Sequence, residues 1–435
     1  MLNPDQEKTL KQIISWWKGS ERFFIIDGRG GVGKSYLVNY ILQSLTNCSP
    51  ILLAPTNEAL KQLREKTSGN YLFKTIHSSL GIAPTKHERE LLFEQVKLPS
   101  LWDNINLAIV DESSMLDEWI LEILLNIGVN VLFLGHEAQL PPVRKERLIN
   151  DPCISPVFQK GFRTNTLTIP MRNTGALWDF NNLLEENIYS GNRIIPATFD
   201  IKTKELKDYI FFSGKEKIFA GETKMILWSN AGVDSYNMIF REAFYGKEKA
   251  KEKYLPGDKI ILTAPFTAIS NLETHNEFGL KKISSKNDLE IFYSNSKAEV
   301  LSSIKVIVKL NNNLAISCYK IHVISEGKKT WFYEPENSED YEKISSHYEH
   351  LAWREKNQEK KRKAFMLKHF ILSCFARIKH YYAATSHRLQ GASIPNAIVI
   401  NSDISRNPCI VEANKCRYVA CSRVSNELMF FRGNL

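Results

Sequence analysis

The stretch of sequence that decides the fold is an octapeptide, residues 28–35, which matches the pattern G-x-x-x-x-G-K-S/T. It consists of Gly28, Arg29, Gly30, Gly31, Val32, Gly33, Lys34 and Ser35. The apolar run Phe-Phe-Ile-Ile at 23–26 precedes it, and a helix-like stretch at 36–45 follows it. A strand, a glycine-rich turn and a helix in this order form a phosphate-binding loop. The sequence therefore predicts a nucleotide site here, and the alternative is an accidental glycine-rich turn.

Each part of this octapeptide has a chemical role in binding a polyphosphate. Glycines let backbone N–H groups turn inward around the phosphates, and the start of the following helix adds partial positive charge. The ammonium group of Lys34 would contact the β and γ phosphates, and the hydroxyl of Ser35 would bind Mg²⁺. We therefore expect all eight residues to bind a nucleotide together with Mg²⁺.

Length and composition favour a multidomain protein with a polyanionic partner. The chain has 435 residues, of which 43% are hydrophobic, and a formal net charge of +9. This length exceeds that of one typical domain, and the charge suits nucleic acid, although it also fits a merely soluble basic protein. The seven cysteines lack zinc-type spacing, the first residues do not resemble a signal peptide, and no apolar run reaches membrane-spanning length. We expect a reducing, cytoplasmic setting and no membrane partner.

Short apolar strands alternate with helical stretches through the first 170 residues. The strand candidates are residues 23–26, 51–54, 107–110 and 131–134. Such alternation is typical of a parallel sheet with helices on both faces, which binds ligands at the carboxyl ends of its strands. The connection between the second and third strands is long enough to predict a small inserted element at 81–104.

A second alternation of strand and helix begins near residue 225 and resumes near residue 397. The segment between them is different, because residues 259–332 are strand-rich and residues 341–379 are helical and basic. Residues 351–380 contain nine Lys or Arg against two Glu. The sequence therefore predicts a second α/β unit that is interrupted by an insert.

Two adjacent carboxylates follow the third strand candidate, where residues 107–112 read Leu-Ala-Ile-Val-Asp-Glu. About 80 residues after a phosphate-binding loop, this pattern is typical of a Walker B strand. Asp111 would bind Mg²⁺ through water, and Glu112 would position and deprotonate the attacking water. The pair therefore favours nucleotide hydrolysis over nucleotide binding alone.

Three further segments occur in the same order as the motifs of a known family. Residues 134–143 read Leu-Gly-His-Glu-Ala-Gln-Leu-Pro-Pro-Val, residues 384–391 read Ala-Thr-Ser-His-Arg-Leu-Gln-Gly, and residues 418–423 read Tyr-Val-Ala-Cys-Ser-Arg. Together with the phosphate-binding loop and the acidic strand end, they resemble the superfamily-one B, or RecD-like, DNA helicases. The third motif of that family reads roughly Gly-Asp-x-x-Gln-Leu-x-Pro-Val, and this chain departs from it at His136.

The resemblance implies further contacts to ATP from distant parts of the chain. Gln6 would read the adenine edge, although by itself it is an ordinary polar residue at a helix start. Gln139 would sense the γ-phosphate, and Gly391 would lie near the nucleotide. Arg172 and Arg423 would act as arginine fingers, because a planar guanidinium pairs well with the charge on a γ-phosphoryl group.

The resemblance also implies contacts to single-stranded DNA from three segments. These contacts would be made by Pro55, Thr56, Thr75, His77, Ser386 and His387. A lone His77 would more often be structural, but the surrounding Thr-Ile-His match favours DNA contact. Phe93 aligns with the pin-like hairpin of the family and could stack on the first unpaired base. The alternative for Phe93 is that it packs the insert onto the first motor domain.

The fold implied by the resemblance is α/β, with two RecA-like parallel-sheet motor domains. The first motor would span 1–172 and contain the insert 80–104. The second would comprise 173–258 and 379–435, and its insert 259–378 would be a β-barrel-like domain with a basic helical extension.

The implied activity is that of a monomeric, ATP-hydrolysing DNA helicase of phage or bacterial type, with Mg²⁺ as cofactor. It would move 5′ to 3′ on single-stranded DNA and act at junctions of single strand and duplex. Single-stranded-DNA-binding, replication and recombination proteins are its candidate partners. The open alternatives are an RNA-directed helicase, a motor subunit of a nuclease or recombination complex, and a nucleotide-gated loader that does not unwind.

Overall fold

The computed structural model describes residues 1–87, 90–95, 98–142, 153–171, 175–193, 200–268, 290–311, 314–325 and 327–432. By its internal contacts the chain divides into two compact units. Unit 1 comprises Met1–Tyr236 and Ala383–Leu435, and unit 2 comprises Asn237–Tyr382. The domain limits predicted from the sequence stay predictions.

Strands and helices alternate in unit 1, whereas in unit 2 a run of strands is followed by two long helices. The strands are β1 Phe23–Gly28, β2 Pro50–Ala54, β3 Leu72–Thr75, β4 Ile82–His87, β5 Glu90–Gln95, β6 Leu107–Val110, β7 Asn130–Gly135, β8 Arg163–Leu167, β9 Asp200–Ile201, β10 Thr223–Leu227, β11 Lys259–Leu262, β12 Phe266–Ala268, β13 Glu290–Phe292, β14 Lys297–Asn311, β15 Leu314–Ser325, β16 Lys328–Pro335, β17 Ile378–His380, β18 Ala383–Thr385, β19 Ile394–Ile400 and β20 Val424–Phe431. The helices are α1 Pro4–Trp17, α2 Lys34–Ser44, α3 Asn57–Lys66, α4 Ile76–Ser79, α5 Glu118–Asn126, α6 Ala176–Glu186, α7 Thr203–Asp208, α8 Lys215–Phe219, α9 Asn230–Tyr245, α10 Lys247–Ala250, α11 Glu339–Arg354, α12 Gln358–Ser373, α13 Ser386–Leu389, α14 Asn401–Ile404 and α15 Ile410–Ser422. Short 3₁₀ or π turns lie at Ser100–Asn104, Ser113–Met115, Pro156–Gln159 and Tyr209–Ser213.

The first sheet of unit 1 is parallel throughout, with strand order β3-β2-β6-β7-β1-β8. Its central strands are continuous apolar runs because helices cover both faces. One core cluster packs β1 and β6 against α1 and α2, and a second packs the opposite face against α5. Helix α1 begins with a capping box, in which Asn3 and Gln6 satisfy each other's backbone N–H groups. The functional loops therefore project from the carboxyl edge of a rigid, doubly covered sheet.

The second sheet of unit 1 is also parallel, with strand order β18-β10-β19-β20-β9. Strands β10 and β19 are almost wholly buried, as their apolar sequences predict. Helix α6 packs on this sheet, where the rings of Phe180 and Phe430 meet edge to face at 5.8 Å. Both parallel sheets expected from the sequence are present in the described residues.

Between β3 and β6 the chain forms an antiparallel hairpin of β4 and β5, in which Pro84 pairs with Phe93. This hairpin falls within the segment that the sequence predicts as an insert. The side chain of Phe93 lies outside the part of the chain that the structure describes.

Unit 2 is built on an antiparallel sheet with strand order β16-β15-β14-β11-β17. The long strands β14 and β15 carry most of the pairing, and β12 pairs with β13 as a separate hairpin. Helices α11 and α12 pack on the sheet through a cluster that includes Tyr333, Ile344 and Phe375. In the described residues, no helix is both long and apolar enough to cross a membrane.

Candidate nucleotide and nucleic-acid sites

The phosphate-binding loop links β1 to α2 through backbone conformations that favour glycine. Gly31 has φ +92° and Gly33, which precedes the first residue of α2, has φ +85°. A Cβ atom at Gly33 would lie 2.5 Å from both the Gln6 side-chain nitrogen and the Met171 sulfur. A larger residue at position 33 would therefore both strain the backbone and displace these two side chains.

Lys34 is buried at the centre of this loop. Its ammonium group donates to the carbonyl oxygens of Gly28 and Arg29, the latter at 2.9 Å. Burial lowers the pKa of Lys34, and the nearby carboxylates of Glu112 and Asp111 oppose that shift. The lysine is thus a desolvated cation whose surroundings favour a strongly anionic ligand.

The two Walker B carboxylates follow β6 directly and differ in environment. The Ser35 hydroxyl donates to Asp111 Oδ2 at 3.1 Å, and the backbone N–H of Glu112 donates to Asp111 Oδ1 at 2.9 Å. Burial and the charge of Glu112 raise the pKa of Asp111. This pairing of a hydroxyl and a carboxylate supplies the hard oxygen atoms that Mg²⁺ prefers, so Ser35 and Asp111 fit the ion.

Glu112 is the point at which side chains from several elements converge. Gln139 donates to its Oε2 at 2.8 Å, and Arg423 Nη2 lies 3.3 Å from its Oε1. Burial raises the pKa of Glu112, but the charges of Arg423 and Lys34 outweigh that effect, so that its pKa lies below the ordinary value. Its backbone has φ +50°, a rare conformation for a residue with a side chain. Glu112 is therefore an ionised carboxylate held in a constrained position.

Gln390, which belongs to the predicted late motif at 384–391, reaches the same point from the second sheet. It donates to Ser114 Oγ at 2.8 Å and lies 3.5 Å from Glu112 Oε2. Its Oε1 is buried and lacks a hydrogen-bond partner among the described residues, as does Nε of Arg423. Buried polar atoms are normally paired, so these two unpaired atoms are an unusual feature of this cluster.

A cavity of about 260 Å³ opens beside these groups. It is lined by Arg29, Gly30, Gly31, Gly33, Lys34, Ser35, Tyr36, Ala59, Gln62, Lys66, Asp111, Glu112, Gln139, Met171, Gly391 and Arg423. Gly391 has φ +83°, and a Cβ atom there would lie 3.1 Å from Cβ of Ala59. The cavity thus combines cationic side chains, two carboxylates, and glycines from the phosphate-binding loop and from the late motif.

The structure brings most of the predicted nucleotide residues together at this cavity, but Gln6, Gly28 and Val32 are not among its lining residues. Arg172 lies outside the described residues, as does Val143 of the third motif. Gln6 is buried, and its amide nitrogen lies 3.4 Å from the carbonyls of Val32 and Gly33. Gln6 therefore contacts the phosphate-binding loop but is not among the residues that line the cavity. Its contact with adenine stays a prediction.

The predicted DNA-contacting residues of the first sheet lie at adjacent strand ends. Thr56 caps α3 just after β2, and Thr75 caps α4 at the end of β3. These two strands pair directly, with Ala54 opposite Thr75. Pro55 and His77 are half-buried, and burial lowers the pKa of His77. These four residues thus share one edge of the sheet, as the sequence predicts for parallel strands.

The two predicted DNA contacts of the second sheet are less open. Ser386 is fully buried and donates to the carbonyl of Leu227 at 3.4 Å. The ring of His387 lies 3.1 Å from a carboxylate oxygen of Glu412. Contact of Ser386 and His387 with DNA phosphates stays a prediction.

Sequence reasoning missed a second polar network beside the cavity. His136 lies between Asp27 at the end of β1 and Glu185 of α6, and Glu185 pairs with Arg29 of the phosphate-binding loop. The departure from the family motif at His136 was the signal. Its partners could not be inferred, because Glu185 is distant in sequence.

Comparison with known proteins gives matches along nearly the whole chain. A family model described as an AAA domain matches residues 13–145. The chain is 25% identical over 432 residues to the ATP-dependent DNA helicase dda of Enterobacteria phage T4, a match that covers 94% of this chain and 93% of that protein. It is 30% identical over 161 residues to the ATP-dependent DNA helicase PIF1 of Saccharomyces cerevisiae, which covers 33% of this chain and 18% of that protein.

Two solved structures show the fold. One is a Pif1 helicase from Bacteroides in complex with ADP-AlF3 and single-stranded DNA, with a TM-score of 0.52 at 17% identity. The other contains two coordinating Pif1 helicases on forked duplex DNA, with a TM-score of 0.54 at 18% identity. Each match covers 99% of this chain and 92% of the other. The predicted α/β class with two RecA-like sheets is confirmed, as is the resemblance to the superfamily-one B helicases.

Proposed function

We propose that this chain is an ATP-dependent DNA helicase that moves 5′ to 3′ on single-stranded DNA and unwinds duplex. One observation carries the proposal: polar groups from both parallel sheets converge on Glu112 beside the cavity. Gln139 reaches it from the first sheet, and Gln390 and Arg423 reach it from the second. A hydrolytic site shared between two RecA-like sheets can convert nucleotide turnover into relative movement of those sheets.

In the proposed reaction, each side chain has a distinct task. Glu112, whose pKa is lowered, is ionised at neutral pH and accepts the proton of the attacking water. Lys34 and Arg423 offset the negative charge that develops on the γ-phosphoryl oxygens. Gln139 holds the carboxylate of Glu112 in place through its 2.8 Å hydrogen bond.

Mg²⁺ would be held by Ser35 and Asp111, and when bound it neutralises charge on the β and γ phosphates. The support for this site is the 3.1 Å contact between the Ser35 hydroxyl and the Asp111 carboxylate. Within the described residues, none of the seven cysteines forms a disulfide, which supports the reducing, intracellular setting expected from the sequence.

The proposed track for single-stranded DNA crosses the carboxyl edges of the two sheets. Pro55, Thr56, Thr75 and His77 would contact the strand from the first sheet. Ser386 and His387 would contact it from the second sheet once these elements move apart from their present partners. The motor limits proposed from the sequence are 1–172 for the first domain and 173–258 with 379–435 for the second.

We also propose that the chain acts as a monomer at junctions of single strand and duplex. Helicase monomers of this design need no partner subunit, because both sheets that enclose the nucleotide belong to one chain. The hairpin of β4 and β5 would place Phe93 at the junction, and single-stranded-DNA-binding or replication proteins would meet the displaced strand.

The experiment is a steady-state ATPase assay with no nucleic acid, with single-stranded DNA and with single-stranded RNA. We expect strong stimulation by DNA, and we expect Lys34→Ala to reduce turnover by at least about 10²-fold, because the cation facing the phosphates is lost. Lys11→Ala is the matched control, since Lys11 is exposed on α1 and lies outside the cavity. Equal turnover in Lys34→Ala and wild type would contradict the proposed site.

A forked-duplex assay on the same preparations tests the unwinding step. Strand separation that requires ATP and a 5′ single-stranded tail supports the proposed helicase and its polarity. Stimulated hydrolysis without strand separation would instead indicate a nucleotide-gated loader, and stimulation by RNA alone would indicate an RNA-directed motor.

A further inference from the structure

His136 lies where the first sheet meets a helix of the second. It follows β7 directly and is buried, with 7% of its surface exposed. Its Nδ1 atom lies 2.7 Å from Asp27 Oδ1, and its Nε2 atom lies 3.0 Å from Glu185 Oε1. Asp27 is in β1, one residue before the phosphate-binding loop, and Glu185 is in α6. The ring therefore bridges two carboxylates from different layers of the molecule.

With Asp27 and Glu185 ionised, this geometry requires the charged form of the histidine. An ionised carboxylate can only accept hydrogen bonds, and a neutral imidazole carries a single N–H. Both contacts of His136 can be hydrogen bonds only if both ring nitrogens carry a proton. Loss of one proton would leave a nitrogen lone pair facing a carboxylate in a buried place, which is unfavourable.

The link continues from Glu185 to the nucleotide cavity. Glu185 pairs with Nε of Arg29, and Asn182, one turn earlier on α6, accepts a hydrogen bond from the same guanidinium. Arg29 lines the cavity. Helix α6 is itself fixed on the second sheet through Phe180. The position of the Arg29 side chain is thus set by a helix of the second sheet.

We propose that the imidazolium of His136 is a positioning residue for ATP hydrolysis: it holds Glu185 against Arg29 and thereby couples the phosphate-binding loop to α6. This inference rests on the proposed function. A histidine in this place makes the coupling depend on pH, because one proton decides whether the bridge is attractive on both sides.

The surroundings determine the direction of that pH dependence. The titratable groups facing His136 from the packed elements are Asp27 of β1, Glu185 of α6, Arg29 of the loop and Tyr418 of α15, whose ring centre is 6.5 Å away. Burial lowers the pKa of His136, but the hydrogen bonds and charges of Asp27 and Glu185 outweigh burial and raise it. Burial raises the pKa of Asp27, and His136 together with Lys34 and Thr166 lowers it below its ordinary value.

These shifts define a pH window for the bridge. A raised pKa in the folded state means that the stabilisation by His136 is fully present below its unfolded pKa of about 6.5 and is lost as pH rises through the folded value. A lowered pKa of Asp27 means that its stabilisation is present above the unfolded value of 3.8 and is lost as pH falls through the folded value. The bridge is therefore strongest between these limits and weakens on the alkaline side.

The first test measures unfolding by urea at a series of pH values, for wild type and His136→Gln. We expect wild type to be the more stable at pH 6 and the difference to shrink as pH rises through the raised pKa of His136. Glutamine fills similar space but carries no charge. The matched control is His322→Gln, which also replaces a histidine but does not alter the bridge. His322 lies in unit 2 and stacks on Trp331, at 4.5 Å between ring centres. A stability difference that does not change with pH would overturn the inference.

The second test measures DNA-stimulated ATP turnover over the same pH range. We expect kcat of wild type to fall on the alkaline side. We expect His136→Gln to have kcat lower by about 10- to 100-fold at pH 6.5, without that alkaline decline, because misplacement of a catalytic group by about 1 Å costs this much. Glu185→Gln, which removes the same link from α6, should reproduce the effect and serves if His136→Gln fails to fold.

The outcomes separate this inference from the proposed function. If wild type hydrolyses ATP and both variants keep its kcat and pH profile, the positioning role is wrong and the helicase assignment stands. If wild type shows no turnover that depends on Lys34, the proposed function fails. The pH dependence of unfolding still reports whether His136 bridges the two carboxylates.

Discussion

Two buried clusters of charged side chains, one in each unit, differ in how completely the hydrogen bonds of their arginine are used. In unit 2, Asp258 is fully buried, and Arg241 contacts both of its oxygens, with Nε at 3.2 Å and Nη2 at 3.1 Å. The Tyr382 hydroxyl and the Leu255 N–H also donate to this carboxylate. The remaining guanidinium contacts go to the carbonyls of Ala250 and Glu252.

In unit 1, the cluster around Glu112 is also buried, but its arginine is incompletely paired. Arg423 contacts Glu112 with one nitrogen at 3.3 Å, while its buried Nε lacks a partner among the described residues. The cluster borders a cavity of about 260 Å³, and Lys34 extends into the same space. Lys34 and Arg423 therefore line a cavity that a ligand can enter, whereas each guanidinium nitrogen of Arg241 contacts an oxygen atom of the protein.

This difference separates a functional cluster from a structural one. Burial and charge alone do not, because structural ion pairs also have perturbed titration. The pKa of Asp258 is lowered because the contact with His380 and the charge of Arg241 outweigh burial, and the pKa of Glu112 is lowered because the charges of Arg423 and Lys34 outweigh burial. Each cluster contains a buried nitrogen without a hydrogen-bond partner among the described residues, Nε of Arg423 in one and Nε2 of His380 in the other. The feature that marks the functional cluster is the cavity that Lys34, Glu112 and Arg423 line.

The largest expected effect is a loss of ATP turnover when the arginine of the Glu112 cluster is replaced. Arg423→Ala should lower kcat of the DNA-stimulated ATPase by about 10³-fold or more, because an arginine finger acts on the transition state. The KM for ATP should change much less. Steady-state kinetics at saturating single-stranded DNA measures both quantities.

Arg423→Lys tests whether the charge or the shape of the guanidinium matters. Arg423→Lys keeps the charge but loses the planar fork that pairs with phosphoryl oxygens, so it should restore only part of kcat. A rise in KM with unchanged kcat in Arg423→Ala would show that the guanidinium merely helps to bind the nucleotide.

Asp258→Asn, the corresponding change in the unit 2 cluster, should lower stability and leave turnover unchanged. Asp258→Asn leaves the buried guanidinium of Arg241 without its counter-charge, and breaking a buried pair costs about 3–5 kcal/mol. Urea unfolding measures the loss, and kcat per folded molecule should stay near the wild-type value. The stability of wild type should also decrease at acidic pH. The pKa of Asp258 is lowered in the folded state, so the stabilisation by its carboxylate is lost as pH falls through that folded-state pKa.

The control for this variant is an exposed ion pair. Arg163 lies 3.4 Å from Glu21, and the two side chains are 39% and 61% exposed. Arg163→Gln should therefore cost no more than about 1 kcal/mol. If Asp258→Asn were as mild as Arg163→Gln, or if it abolished turnover while the protein stayed folded, the structural role of Asp258 would be wrong.

Local sequence patterns were sufficient to predict the sheets and the phosphate-binding loop. Strand β6 has the predicted bounds of 107–110, and β1 and β7 extend the predicted runs by two residues or fewer at either end. Buried parallel strands are continuous apolar runs, so they are visible in the sequence. The octapeptide is likewise visible because its spacing is fixed by one tight turn.

Contacts between distant segments could not be predicted in this way. Gln390 meets Ser114 across 276 residues, and His136 meets Glu185 across 49 residues. Such contacts depend on how two sheets pack, which no local pattern encodes. The family resemblance pointed to Arg423 and Gln139, but it gave no partner for His136, where the chain departs from the family.

The smallest expected effect concerns Phe93, in strand β5 opposite Pro84. We predict that Phe93→Ala slows strand separation on a forked duplex and leaves DNA-stimulated ATP hydrolysis unchanged. A base stacked on an aromatic ring gains about 1–3 kcal/mol, which is comparable to the average cost of about 1.4 kcal/mol for opening one base-pair step. Removing the ring should therefore uncouple movement on the single strand from opening of the duplex.

Phe93→Leu is the matched variant, because leucine keeps apolar volume but has no ring on which a base can stack. If Phe93 stacks on the first unpaired base, Phe93→Leu should unwind as poorly as Phe93→Ala. If Phe93 instead packs the hairpin onto the first motor domain, leucine should restore most of the lost activity, and in Phe93→Ala stability, hydrolysis and unwinding should fall together. Unwinding rates divided by ATPase rates, measured for the three proteins under one condition, distinguish these outcomes: the ratio falls in both variants only if the ring itself separates the strands.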